Sequence, residues 1–207
     1  YGGGSGDISI LGAMVAQSAQ SDASIQVFNG HGNVTLAGLV RATGAGLNSS
    51  RIRVGASDGF ITTLNTGLLE AQRVQLSVSA ATAVAVRTSS PRISFSHYGS
   101  GSPDVAVDNT AFAGDTVIQT STFIFGGSYG SSGRGGPSAA FSVGGGFGAT
   151  RIRATGNLEF QGDFAARNAL IDVTNGTLKF RGDVLIGERN LPGTEGDVIS
   201  LLALSRA

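Results

Sequence analysis

The string GNLEFQGDF (156–164) returns twenty positions later as GTLKFRGDV (176–184), and a fainter third copy, GDVISLLAL, begins at Gly196. At that interval Gly156 falls on Gly176, Leu158 on Leu178, Phe160 on Phe180, Gly162 on Gly182 and Asp163 on Asp183. Within each copy apolar and polar residues alternate, which is the period of a β-strand. Self-similarity at about 20 residues belongs to architectures in which one repeat is one turn of a stacked β coil. A single turn cannot bury its own apolar stripe, so its neighbours must cover it. Phe160 is therefore expected to lie on Phe180 inside the stack. Outside, Glu159 should face Lys179 across ~4.8 Å of strand spacing, a pairing worth roughly 0.2–1 kcal/mol. The third copy departs from the pattern, with Val198 in place but Ser200 where the Phe should be.

Elsewhere the same signal recurs with looser spacing. GDISILG (6–12) and GNVTLAG (32–38) lie 26 residues apart, and SIQV (24–27), RIRV (51–54), RVQL (73–76) and RISF (92–95) follow at offsets of 27, 22 and 19. Such variation implies a constant strand core whose corners absorb insertions. The best helical candidate, Gly12–Gln20, is short and uncapped. The fold expected is all-β, a right-handed parallel β-helix with rungs of about 20–27 residues, forming one domain over 1–207. Residues 156–207 should be its regular part. Residues 96–150 should be irregular, because GGSYGSSGRGG (126–136) and GGGFG (144–148) read as loops leaving the coil, although DVAVDN (104–109) and TVIQTSTFIF (116–125) keep strand character.

Charge and composition narrow the function classes. Lys plus Arg equals Asp plus Glu at 14 each, with no basic block, so there is no electrostatic case for nucleic acid or an anionic membrane. No run of 18 apolar residues suggests a transmembrane helix. Cysteine is absent, which excludes disulfides and thiolate metal sites; that suits a chain exported unfolded but does not fix the compartment, since reduced cytosolic proteins can lack cysteine too. The first residue is Tyr and no signal peptide precedes it, so the chain reads as a mature segment or fragment of something longer.

The pattern G-[DN]-Φ-x-Φ-x-G, carried by GDISILG, GNVTLAG, GNLEFQG, GTLKFRG and GDVIS without cysteine, resembles the filamentous haemagglutinin-type exoproteins. These are the large passengers of two-partner secretion and their autotransporter relatives in Gram-negative bacteria. The resemblance covers about half of the chain, residues 6–95 loosely and 156–207 well, and the NPNG-type signature of that family's secretion domain is missing. It implies export to the outer cell surface and roles in adhesion, aggregation or biofilm, with a host or neighbouring-cell surface, a glycan or another copy of the chain as partner.

Candidate chemistry is sparse. His31 lies in the turn NGHGN and His97 follows RISF; with no metal-ligand spacing between them, exposed turn residues are the better reading. A polysaccharide-processing enzyme, the main rival reading, needs two carboxylates about 5–9.5 Å apart. Asp104 with Asp108, and Asp163 with Asp183, are the candidate pairs, but an Asp in a G-D turn more simply caps backbone N–H groups. If the four RIRV-type strands share a register, Arg51, Arg73 and Arg92 form an outward column able to hold an anionic polysaccharide; a solvated charged face is the plainer alternative. Tyr129 and Arg134 sit at the tip of the glycine loop, which lacks the G-K-[ST] of a phosphate loop and the Asp of the calcium nonapeptide, so a partner contact is the only role they suggest. Asn33, Asn48 and Asn175 open N-x-[ST] triplets that carry weight only in a eukaryotic secretory pathway. The expectation is a non-catalytic display rod without cofactor, with a polysaccharide-processing enzyme or a trimeric phage or viral fibre as the alternatives.

Overall fold

A computed structural model of the chain describes residues 2–46, 49–64, 66–79, 83–98, 104–123, 147–161, 164–182 and 184–186. Every regular element among them is a strand, and Met14–Gln17, inside the one helical candidate, is a strand too. The chain visits the sheets in strict rotation. β1 (Gly2–Ser5), β2 (Ile8–Ile10) and β3 (Met14–Gln17) make a first rung, β4 (Ala23–His31), β5 (Val34–Leu36) and β6 (Leu39–Thr43) a second, and β7 (Ser50–Ala56), β8 (Phe60–Thr63) and β9 (Leu68–Glu70) a third. The next rungs have two strands each: β10 (Arg73–Ser79) with β11 (Ala83–Ser89), β12 (Arg92–Tyr98) with β13 (Val105–Asn109), and β14 (Thr116–Phe123) with β15 (Phe147–Thr155). β16 (Leu158–Gln161) with β17 (Phe164–Thr174), and β18 (Leu178–Phe180) with β19 (Val184–Ile186), complete the series.

All pairings are parallel. The first strand of each rung joins an 8-stranded sheet in the order β1-β4-β7-β10-β12-β14-β16-β18, and the remaining strands form an 11-stranded sheet. β11 bridges the two branches of the second sheet, pairing with β8 through Ala83–Ala85 and with β9 through Thr88 and Ser89. Three-sided rungs thus pass into two-sided ones at the fourth rung.

Register explains the repeat. Ile25, Ile52, Val74, Ile93, Ile118, Phe160 and Phe180 occupy successive positions of one inward column in the first sheet. Val86, Val107, Ile152 and Ile171 do the same in the second. Alternate residues of each strand face in, and full burial of each such side chain is worth roughly 1.5–3 kcal/mol. The Phe160 and Phe180 rings stack with centroids 4.9 Å apart and planes 15° from parallel, and Phe164 closes a three-ring cluster 4.9 Å from Phe160. Glu159 pairs in register with Lys179 as the sequence requires.

The parallel sheets reach further into residues 96–150 than their glycine content suggests. β13 and β14 sit in unbroken register, and Gly148 of GGGFG lies inside β15. Ile118 pairs with Phe160 and Val107 with Ile152, so one turn of the chain there is about twice the usual length. The insertion falls between Phe123 and Phe147. The loop GGSYGSSGRGG, the residues Tyr129 and Arg134, the pair Asp163 and Asp183, and the third repeat copy after Gly196 lie outside the described residues.

Candidate functional site: an arginine and glutamine face

Strand alternation aims Ser24, Gln26 and Phe28 of β4 outward. The parallel register copies those three positions onto every rung of the first sheet. One column reads Ser24, Arg51, Arg73, Arg92, Val117, Glu159, Lys179. Beside it runs Gln26, Arg53, Gln75, Ser94, Gln119, Gln161. A third begins Phe28, Gly55, Ser77, Ser96. The predicted column of Arg51, Arg73 and Arg92 is therefore real in register, three guanidinium stems on consecutive strands. Arg53 belongs with them and was missed, although RIRV places two arginines on one face by simple alternation. Together they line a groove of about 370 Å³ floored by Gln75 and Ser94 and continuing to Gln119 and Gln161. Arg53 Nε is buried without a hydrogen-bond partner. At one edge the Phe28 ring lies over Gly55, where an added Cβ would come within 2.5 Å of it.

The second sheet treats its arginines differently. Its outward column reads Arg87, Asp108, Arg153, Asp172, alternating in sign at every step. Arg153 Nη1 donates to Asp108 Oδ2 at 3.4 Å, and its Nε lies 3.7 Å from Asp172 Oδ2. Asp108 Oδ1 also accepts the Thr110 N–H at 3.1 Å and its hydroxyl at 2.6 Å. Burial pushes the Asp108 pKa up, but the Thr110 hydrogen bonds and the Arg153 and Arg87 charges outweigh it and hold the group below its ordinary value. This ladder was legible by aligning VAVR, VAVD, TRIR and ALID, a comparison the first strand family had obscured.

The remaining carboxylates hold the corners. Asp7 Oδ1 accepts the Asn33 N–H at 2.8 Å and Oδ2 the Asn33 amide at 3.2 Å, while Asn33 Oδ1 accepts the Phe60 N–H at 2.8 Å. Asp115 repeats this on Asn157 (3.0 and 3.2 Å), and Asn157 Oδ1 accepts the Thr177 N–H at 3.0 Å. The [DN] of the repeat motif is thus a ladder rung: each side-chain oxygen satisfies the backbone N–H at a corner of the next turn. The Asn33 backbone bond, then its side-chain bond, lower the Asp7 pKa. Arg41 pairs with Glu70 at 2.8 Å, and Arg181 with Glu159 at 3.1 Å.

His31, largely exposed, has its Nδ1 2.8 Å from Asp58 Oδ2. That contact, then the Gly32 N–H, holds the Asp58 pKa below the ordinary value. His97 lies on β12, in register with Val78 and Thr122, so the two histidines sit on different strands three pairings apart. Among the described residues no three His, Asp or Glu side chains gather as a metal site would need. Asp108 is committed to Thr110 and Arg153, and Asp104 belongs to the segment leading into β13, where its carbonyl accepts the Val84 N–H.

No known protein family, no curated protein and no solved structure matches this chain.

Proposed function

We propose that the chain is a right-handed parallel β-solenoid rod that works by display: a stiff secreted or cell-surface element for adhesion, aggregation or a biofilm matrix, without catalysis. Right-handedness follows from the general rule for parallel crossovers. The observation that carries the reading is the register itself. It turns a repeat into two long outward faces of fixed spacing while Asp7, Asp58, Asp108, Asp115, Glu70 and Glu159 are each engaged with a corner N–H or a cation. The outward face of the first sheet presents arginine, glutamine and serine in rows. Export is supported by the resemblance of the G-[DN]-Φ-x-Φ-x-G repeats to the two-partner and autotransporter exoproteins and by the absence of cysteine.

The test is whole-cell labelling with an antibody raised against residues 1–207, combined with protease shaving and an aggregation assay of a strain lacking the gene. Display requires label on intact cells, loss of that label on shaving, and weaker aggregation or attachment in the deletion strain. Label gained only after permeabilisation, with attachment unchanged, overturns the reading.

A further inference from the structure

Phe28 stands on the outward face of the first sheet, among glutamine, arginine and serine, and is 42% exposed. Alternation along β4 puts it there, because Ile25, Val27 and Asn29 take the inward positions. Its register partner on β7 is Gly55, and the ring lies against that glycine, where a Cβ would come within 2.5 Å of it. Any other residue at position 55 would push the ring away from the sheet. Beside the ring the register sets Gln26, Arg53 and Gln75 in a row, and Arg51 shares the outward side of β7 with Arg53. Among the described residues the side chains of Gln26, Arg51, Arg53 and Gln75 make no hydrogen bond or ion pair. Arg41, Arg153 and Arg181, by contrast, each hold a carboxylate. Arg53 also has its Nε buried without a partner, an uncommon state that a bound acceptor would relieve. Arg51, Arg53 and Gln75 line the groove of about 370 Å³, and its described lining holds no carboxylate.

We propose that this patch is a subsite for one acidic sugar unit. The sugar ring packs on Phe28, its carboxylate or sulfate enters the groove at Arg53 and Arg51, and its hydroxyls meet the Gln26 and Gln75 amides. An exposed aromatic ring takes the C–H face of a sugar through dispersion and burial of apolar area. A guanidinium receives an oxyanion through paired N–H···O bonds, and an acceptor of that kind is what Arg53 lacks. Side-chain amides offer donors and acceptors together, which hydroxyl groups use and a bare phosphate does not. That separates a sugar from a nucleotide, whose phosphate needs donors alone. The chain as a whole also carries no net charge, which disfavours the long-range attraction that nucleic acid relies on. The subsite gives the display reading a ligand class and rests on that reading only for its setting, so binding in solution and label on cells fail separately.

The experiment is saturation-transfer NMR, with titration, of the purified chain against digalacturonate, a glucose monosulfate, glucose and AMP. At least one acidic sugar should receive saturation on its ring protons, and which of them does so names the anion as carboxylate or sulfate. Glucose and AMP should bind more weakly. Phe28→Ala and Arg53→Gln should each weaken binding about tenfold, and Arg53→Lys should recover only part of the loss. Gly55→Ala, which displaces the ring without removing it, should weaken binding too. Phe60→Ala removes another exposed phenylalanine, on the second sheet, and should leave affinity unchanged. Melting of each variant by circular dichroism separates loss of the subsite from loss of the stack, and Phe28→Leu, apolar but without a ring, replaces Phe28→Ala if the latter unfolds. The proposal is overturned if neither acidic sugar binds, if glucose or AMP binds as tightly as they do, or if Phe28→Leu or Arg53→Gln, melting as wild type does, also binds as wild type does.

Discussion

Two side chains show how strictly position in the stack sets a residue's cost. Thr150 occupies an inward column of the second sheet between Val105 and Ala169, is 4% exposed, and its Oγ1 has no hydrogen-bond partner. A buried unpaired hydroxyl is unfavourable by roughly 1–3 kcal/mol, and valine has its shape. Thr150→Val should therefore raise stability by about 1 kcal/mol in urea unfolding; an unchanged or lowered midpoint would mean the hydroxyl is satisfied. Asp7 makes the opposite case. Its folded pKa lies below the ordinary 3.8, so the stability it contributes is fully present above that value and is lost as pH falls through the folded pKa. Asn33 performs the same corner bond with an amide. Asp7→Asn should accordingly fold, keep the ladder, and melt with a smaller drop in Tm between pH 6 and 3 than wild type does. An identical pH profile would remove the corner ladder from the account.

At the scale of strands and corners, the glycines mark where turns touch. Gly156 has φ of 83°, and a Cβ at Gly176 would collide with the carbonyl oxygen of Gly156 one rung below. The recurrence of glycine at an interval of twenty residues is thus a packing requirement between rungs as well as a local turn signal. Gly176→Ala should destabilise the fold by about 1–3 kcal/mol, the usual range for overpacking a tight site, read as a lower urea midpoint. No loss would show that the corners are looser than their register implies. These elements were legible in the sequence because the stack copies each position: identical residues at Phe160 and Phe180, or at Leu158 and Leu178, reveal both strand and register. The charge ladder on the second sheet was harder to read because its members are not alike. Arg87, Asp108, Arg153 and Asp172 complement one another, and a search for self-similarity passes over complementarity. The corner hydrogen bonds were half legible. The G-D turn suggested backbone capping, but its partner lies on the next turn and could not be named until the register was known.

At the scale of the molecule, a stack of parallel rungs has nearest-neighbour energetics, since each rung is covered by the one above and the one below. The strands on either side of the stretch between Phe123 and Phe147 keep their register, which is why glycine-rich composition over 96–150 conceals the strands within it. The two faces of the second and first sheets then set the chemistry, one self-neutralised and the other carrying arginine and glutamine in rows. The absence of cysteine gives a direct check on the arrangement, because spin labels attach only where a cysteine is introduced. With one label fixed at Ser24 and the second at Val117, Glu159 or Lys179 in turn, pulsed electron resonance should give separations growing by ~4.8 Å per rung, about 19, 24 and 29 Å. The sequence separations of those pairs rise far more unevenly than that. Evenly stepped distances are the result that rung-on-rung stacking demands; distances that scatter, or that do not increase from Val117 to Lys179, would contradict it.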